Sequence, residues 1–437
     1  MDSSDRIYIY GGGLAGCEAA WQAAANGVKV CLYEMRPVKL TPAHKTGDLA
    51  ELVCSNSFRS QKLENAAGLL KKELEMSGSL IMECANKSRV AAGGALAVDR
   101  HKFSRYVTEA INSNPNIQVI REEVNDIDCQ KVQIIATGPL TSESMAEKIR
   151  SFTGAQHLYF YDAAAPIVVG QSLDFDKVFL GSRYSEGGDY INCPMTEDQY
   201  NKFVDELVKA ERVPLKEFEK EVVFEGCLPI EVMAKRGRDT LRFGPLKPVG
   251  LVDKKTGKQP YAVVQLRKEN DKGTLFNMVG FQTNLKWPEQ KRIFRMIPGL
   301  GNAEFVRWGV MHRNTYINSP QILNSYFQVR KSPNVFFAGQ ITGVEGYIES
   351  AASGLIAGIN AARYALNKEL LEFPEETAMG ALALYISDSS VRRFQPMNIN
   401  FGLLPGIDRI KNKKQRNLFI ARRALERLRE FLRDEAQ

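Results

Sequence analysis

Three stretches of this chain hold residues whose types and spacing suit chemistry. Cys54 lies in Ala50-Glu51-Leu52-Val53-Cys54-Ser55-Asn56-Ser57-Phe58-Arg59-Ser60, where the sequence turns abruptly from apolar to small and polar, as at a strand or helix end lining a cleft. Cys227 lies in Phe224-Glu225-Gly226-Cys227-Leu228-Pro229-Ile230-Glu231, whose Gly and Pro suit an irregular, fixed backbone. Only a thiolate is a good nucleophile, and a free thiol with a pKa of about 8.5 is ionised by a few per cent at neutral pH. Arg59 or a helix N-terminus could supply the positive charge that raises this fraction at Cys54. The third stretch is Gly309-Val310-Met311-His312-Arg313-Asn314-Thr315-Tyr316, which joins an imidazole, a guanidinium and an amide. Such a run suits a planar, anionic small molecule, though it reads equally as a polar loop. A lone cysteine is commonly a small buried apolar residue, and Cys17 and Cys31 fit that reading. Composition does not separate Cys54 and Cys227 from Cys84, Cys129 or Cys193.

The elements that must position these residues begin at the N-terminus. Ile7-Tyr8-Ile9-Tyr10 is β-prone and runs into Gly11-Gly12-Gly13-Leu14-Ala15-Gly16, a G-x-G-x-x-G turn that opens an Ala-rich helix to Asn26. Gly27 ends that helix, and a second strand, Val28 to Tyr33, ends at Glu34. This order predicts a βαβ unit that binds an adenine dinucleotide. Gly11 permits the tight turn, Gly13 lets the backbone approach a pyrophosphate, and Gly16 lets helix and strand pack closely. The pyrophosphate would sit on the helix N-terminus, and Glu34 would accept hydrogen bonds from ribose hydroxyls.

The fingerprint occurs once, so no second Rossmann domain is expected for a nicotinamide cofactor. Val132-Gln133-Ile134-Ile135-Ala136 reads as a strand running into Thr137-Gly138-Pro139. The next matching signal is Val335-Phe336-Phe337-Ala338, followed by Gly339-Gln340-Ile341-Thr342-Gly343-Val344-Glu345-Gly346-Tyr347. A helix from about Ser350 to Ala365 follows, whose Gly354 and Gly358 suit close approach to a flat ligand or a strand. The fold class expected is α/β, a Rossmann-like domain split by an inserted α+β domain, with a helical tail from about Leu366. The boundaries read as 1–139 and 326–437 for the cofactor domain and 140–325 for the insertion. Leu418, Ala421, Leu425, Leu428 and Leu432 recur at helical spacing, opposite an arginine-rich face.

The 437 residues allow two or three domains, with 44% hydrophobic and 25% charged residues. No apolar run is long enough to span a bilayer. The first strand starts too early to leave room for a signal peptide, so a cytoplasmic protein is expected. The seven cysteines contain no C-x-x-C pair, and the four histidines form no H-E-x-x-H, so no metal is expected. The net charge of +7 permits an anionic partner, nucleic acid above all. Lys235-Arg236-Gly237-Arg238 and Lys411, Lys413, Lys414 and Arg416 are basic clusters suited to phosphates or to plain solvated surface.

Over nearly its whole length the chain resembles the folate- and FAD-dependent tRNA (uracil-5-)-methyltransferases of bacteria. The resemblance rests on the glycine turn, Tyr33-Glu34-Met35-Arg36-Pro37, Thr41-Pro42-Ala43-His44, Glu51-Leu52-Val53-Cys54-Ser55-Asn56-Ser57 and Tyr161-Asp162-Ala163-Ala164-Ala165-Pro166. It continues through Tyr190-Ile191-Asn192-Cys193-Pro194-Met195, Glu225-Gly226-Cys227-Leu228-Pro229, Phe337 to Tyr347, and Gln395-Pro396-Met397-Asn398-Ile399-Asn400-Phe401-Gly402. Cys17 stands where the family more usually has serine. The resemblance implies FAD, methylenetetrahydrofolate as carbon donor, NADH or NADPH as reductant, and ribothymidine in the T-loop of tRNA as product. It implies that Cys227 adds to carbon 6 of uracil with Cys54 as acid/base partner, the two roles being exchangeable. His312 would stack against the folate ring with Arg313 beside it, Tyr347 would relay a proton, and Gly138, Gly339 and Gln340 would face the flavin. Two relatives share much of this pattern: a paralogue that modifies ribosomal RNA, and the longer flavoprotein that modifies the tRNA wobble uridine. The latter carries Cys-Asn-Pro where this chain has Cys54-Ser55-Asn56-Ser57.

Overall fold

The computed structural model describes residues 6–154, 158–183, 188–214, 228–253, 255–392, 394–407 and 410–435, with backbone alone for 158–163 and 312–313. Cys227 lies outside the described residues.

A six-stranded sheet forms the base of the molecule, in the order Gln328–Val329, Ser332–Phe337, Gln133–Ile135, Arg6–Tyr10, Lys29–Tyr33, Ile117–Ile120. All its pairings are parallel except that of the first two strands. Ile7, Ile9, Val30, Leu32, Ile134, Ile135, Val335, Phe336 and Phe337 are buried, as a parallel sheet covered on both faces requires. The chain leaves the central strand Arg6–Tyr10 towards Lys29–Tyr33 on one side and later fills the other with Gln133–Ile135. Gly11 therefore stands where the strand order reverses, at the carboxyl ends of the strands, which is where open α/β sheets bind ligands.

Two helices cross over one face of this sheet, Leu14–Ala25 and Tyr347–Ala365. A side chain at Gly354 or Gly358 would strike the backbone of Ala15 or Ala19. The partner that needs these glycines is thus the first helix, rather than a flat ligand or a strand.

The inserted part is a six-stranded sheet in the order Phe179–Gly181, Tyr190–Met195, Ala262–Lys268, Leu275–Met278, Ile167–Val169, Phe305–Arg307, with antiparallel pairing throughout. Its own apolar core gathers residues between Ala165 and Ala303. The larger core takes in the rest, including Met145, Ile149, Tyr316, Ile317 and Leu323. An antiparallel ribbon, Leu158–Ala164 with Val310–Tyr316, carries the chain out and back.

The tail is helical only in part. Helices Ala378–Ser387 and Lys413–Asp434 are separated by a stretch holding Pro396, Gly402, Pro405 and Gly406, residues that a helix interior does not accommodate. The last helix buries Ile420, Ala421, Ala424, Leu425 and Leu428 and packs on Ala66–Met76. Leu418 and Leu432, at the edges of the stripe, are half-buried. Among the described residues no helix is long and apolar enough to cross a membrane.

Candidate active site

A cleft open to solvent runs over the carboxyl ends of the central strands. Gly11, Gly13, Leu14 and Ala15 form one wall, Thr137 and Gly138 the next, and Gly339, Gln340 and Tyr347 the far side. The glycines have different jobs. Gly11 takes a φ of +106° and donates its N–H to Tyr33 O at 2.8 Å, tying the start of the turn to the end of the neighbouring strand. A Cβ on Gly16 would collide with Gly11 O, whereas Gly13 faces open space. The helix starting at Leu14 has no side-chain cap, so its first-turn N–H groups and positive end are left for an outside anion. Open backbone, an uncapped helix and an elongated cleft fit the pyrophosphate and flanking rings of FAD.

Glu34, also in the cleft wall, is more committed than its sequence position suggests. Its Oε1 accepts from Arg36 N and Nε, both at 2.9 Å, and its Oε2 from Gly12 N at 2.9 Å and Arg36 Nη2 at 3.1 Å. Burial raises the carboxyl pKa, but these hydrogen bonds and the Arg36 charge outweigh it and hold the pKa below the usual value. Arg36 is itself 2% exposed and also reaches Glu51 at 3.1 Å. Glu51 in turn accepts from Lys45 N, Thr46 N and Thr46 Oγ1. One buried guanidinium therefore ties the Glu34 wall of the cleft to the loop that leads into Cys54.

Cys54 precedes the strand Ser57–Ser60, in a turn held from several directions. The Tyr347 hydroxyl accepts from Cys54 N and Ser55 N, both at 3.1 Å, and donates to Ser55 O at 2.9 Å. Burial and the neighbouring Cys54 push the Tyr347 pKa well up, so the phenol stays protonated. Arg267 donates to Asn56 Oδ1 at 2.9 Å and to Ser55 Oγ at 2.8 Å. Arg307 donates to Val53 O, and Arg100 to Leu52 O. Arg100 and Arg307 both lie within electrostatic reach of Cys54. Burial opposes the Arg100 charge, but Glu269, at 3.1 Å, outweighs it and holds the pKa above the ordinary value. Arg307 has the reverse balance: burial and the Arg100 charge lower its pKa.

The structure brings most of the expected residues together. Gly11, Gly13, Leu14, Ala15, Glu34, Gly138, Gly339, Gln340 and Tyr347 all line the cleft, while Gly12 and Gly16 shape it from behind. His312 and Arg313 lie on the ribbon, whose Thr315 N–H bonds Pro139 O in the cleft wall at 3.0 Å. Arg59 takes a φ of +64° and its guanidinium pairs with buried Glu349. Sequence reasoning missed Arg100, Arg267 and Arg307, which carried no local signal. Arg36 and Glu51 stood inside quoted motifs but gave no sign of being paired. Exposure separates the thiols. Cys17, Cys31, Cys84 and Cys193 are buried, Cys54 is half-buried and Cys129 exposed. Burial pushes Cys84 and Cys193 up to about 12. Among the described residues no three His, Cys, Asp or Glu side chains cluster as metal ligands would.

Comparison with known proteins fits this geometry. The GIDA family, described as glucose inhibited division protein A, matches residues 6–369. Solved structures of Aquifex aeolicus GidA in two crystal forms share the fold at 17% identity. One has a TM-score of 0.72 over 98% of this chain and 73% of that chain, the other 0.69 over 97% and 76%. The methylenetetrahydrofolate–tRNA-(uracil-5-)-methyltransferase TrmFO of Acetivibrio thermocellus is 60% identical over 98% of this chain and 99% of its own. The enzyme of the same name from Natranaerobius thermophilus is 62% identical over 98% and 99%. That of Moorella thermoacetica is 62% identical over 97% of each. With a dinucleotide cradle, a thiol loop on its wall and relatives matched from end to end, the chain belongs to the TrmFO family of methylenetetrahydrofolate–tRNA-(uracil-5-)-methyltransferases.

Proposed function

We propose that the chain makes 5-methyluridine at uridine-54 in the T-loop of tRNA, with methylenetetrahydrofolate as carbon donor and NADH or NADPH as source of electrons. The observation that carries this reading is that the Cys54 loop and the dinucleotide cradle share one wall, through Val53 and Tyr347. FAD, held by the glycine turn, Glu34, Gly138, Gly339 and Gln340, supplies the two-electron reduction when bound.

The chain's own residues do the rest. The Cys227 thiolate adds to carbon 6 of the uracil; an S–C bond forms and carbon 5 becomes nucleophilic enough to attack the donor's one-carbon unit. Cys54 then takes the carbon-5 proton as base while the bond between the one-carbon unit and the folate nitrogen breaks, the nitrogen leaving with the electron pair. A hydride, which the bound flavin would supply, completes the methyl group as the S–C bond breaks and releases the thiolate. The two cysteines could exchange these roles. Tyr347 holds the Cys54 loop and serves as its proton relay. His312 stacks on the folate ring, and Arg313 meets the anionic part of that substrate. Arg267 and Arg307, which have no carboxylate partner among the described residues, make residues 53–56 electropositive and favour an anionic RNA there. We read residues 1–139 and 326–437 as the cofactor domain and 140–325 as the insertion, whose ends (Met145, Ile149, Tyr316, Ile317 and Leu323) pack back on the larger core and whose sheet brings Arg267 and Arg307 to the Cys54 loop. A tRNA substrate supports a cytoplasmic location.

The test is anaerobic labelling of RNA transcripts. Label from methylenetetrahydrofolate, and not from S-adenosylmethionine, should enter T-loop uridine of tRNA and should not enter ribosomal RNA. Cys227→Ala should abolish transfer while the protein stays yellow and is still bleached by NAD(P)H. Labelling from S-adenosylmethionine, or full activity of that variant, would refute the assignment.

A further inference from the structure

The start of the last helix carries a concentration of charge that neither the cleft nor the thiol loop uses. Lys411, Lys413, Lys414, Arg416, Arg422 and Arg423 occur with no acidic residue between 410 and 425. Lys414 reaches Glu64 at 3.5 Å, and Arg423 donates to Pro405 O. Lys411, Lys413, Arg416 and Arg422 have no carboxylate partner among the described residues. Phe419 lies three residues from both Arg416 and Arg422, on the same helix face, and is 52% exposed. The opposite face is the one packed on Ala66–Met76. The other basic run differs. In the run Lys235 to Arg238, Arg238 is paired with Asp205.

The helix is tied to the thiol loop by two routes. Asn417 Nδ2 donates to Glu64 O at 3.1 Å, shortly beyond the strand Ser57–Ser60 that follows Cys54. On the other route Arg423 holds Pro405, Glu349 accepts from Ile399 N at 2.9 Å, and Arg59 of that strand pairs with Glu349. Ten residues separate Cys54 from Glu64, so the two lie within about 35 Å, roughly one turn of duplex nucleic acid.

Uncompensated cations around an exposed aromatic match a phosphate backbone with bases that can stack. A lipid surface would need an apolar helix face, and here that face is buried. We propose that Lys411, Lys413, Arg416, Phe419 and Arg422 form a docking surface for the RNA substrate, gripping it outside the nucleotide that enters at Cys54. The inference rests on the tRNA reading above.

The test compares binding of an unmodified tRNA transcript by the FAD-loaded protein between 50 and 200 mM salt. The triple variant Lys411→Gln, Lys413→Gln, Arg416→Gln should bind about tenfold or more weakly at low salt. Its slope of log K against log salt should be shallower, by somewhat under one unit for each phosphate left without its cation. Phe419→Ala should weaken binding about fivefold or more, and Phe419→Trp should restore it. Flavin content and melting temperature report whether each variant is folded. Wild-type protein that methylates the transcript, beside folded variants with unchanged affinity and slope, overturns the docking surface alone. Wild-type protein that neither binds nor methylates the transcript overturns the tRNA reading and the surface with it. Binding to phosphatidylserine-containing vesicles in place of tRNA also overturns the proposal.

Discussion

The Tyr347 hydroxyl stands 3.1 Å from the backbone nitrogen of Cys54, across 293 positions of sequence, and closes the thiol loop onto the helix that borders the cleft. The same oxygen serves Ser55 N and Ser55 O. Tyr347→Phe keeps the ring, which packs 5.5 Å from Phe58, and deletes all three bonds. Leaving such groups unpaired costs about 1–3 kcal/mol. The expected result is retained flavin with methyl transfer slowed by about tenfold to a hundredfold, measured as single-turnover label transfer. Unchanged transfer would show that the loop keeps its shape without the phenol.

Gly13 and Gly16 separate cofactor binding from folding. An added methyl at Gly16 meets Gly11 O inside the turn, whereas one at Gly13 meets nothing and projects into the cleft. Gly13→Ala should therefore fold with a near-native melting temperature but lose FAD affinity. Gly16→Ala should lose stability in the flavin-free protein as well, by about 1–3 kcal/mol as for other overpacked sites. Denaturant melts of stripped protein and flavin titrations distinguish the two.

Local requirements were legible in the sequence, and long-range ones were not. The turn at Gly11 to Gly16 could be read because the left-handed φ of Gly11 and the contact of Gly16 with Gly11 O are local requirements. Strand and helix positions followed from apolar spacing, with ends off by a few residues. Arg100, Arg267 and Arg307 were invisible because they come from a helix and two inserted strands, 46 to 253 positions from Cys54. The pairing of Arg59, the nearest cation in sequence, with buried Glu349 was equally invisible, because that carboxylate lies 290 positions away.

Arg36 pairs with two carboxylates at once, buried Glu34 and partly buried Glu51. Arg36→Met should destabilise the protein by about 3–5 kcal/mol at neutral pH, because it leaves buried Glu34 without its cation and with only the backbone N–H groups of positions 12 and 36 as donors. It should also change the acid limb. For Glu34 and Glu51 burial raises the pKa, but hydrogen bonds and nearby positive charge outweigh it and hold the folded pKa below 4.5. Their contribution is thus present above about 4.5 and is lost as pH falls through the folded values. In the variant that loss should shrink, read as urea midpoints between pH 3 and 6.

Helix Ala66–Met76 carries a buried pair of groups that titrate against the usual trend. Glu73 is fully buried and accepts from Ala378 N at 2.8 Å and Met379 N at 2.9 Å, at the start of the helix Ala378–Ser387. Burial outweighs these bonds and raises its pKa to about 7. The folded state then holds a proton that the unfolded chain releases above 4.5. The Glu73 contribution is complete below 4.5 and is lost as pH rises through 7, at up to about 1.4 kcal/mol per unit. Lys71, whose Nζ donates to Phe58 O and Ser60 O, is lowered to about 7 by burial and the Arg59 charge. Its contribution is complete above 10.5 and is lost as pH falls through 7. Glu73→Gln should flatten the wild-type decline between pH 4.5 and 7, and Lys71→Met the rise between pH 7 and 10.5. Difference curves of denaturant midpoint against pH separate the two arms. A Glu73→Gln curve parallel to wild type through the acid window would mean that the carboxyl is ionised when folded.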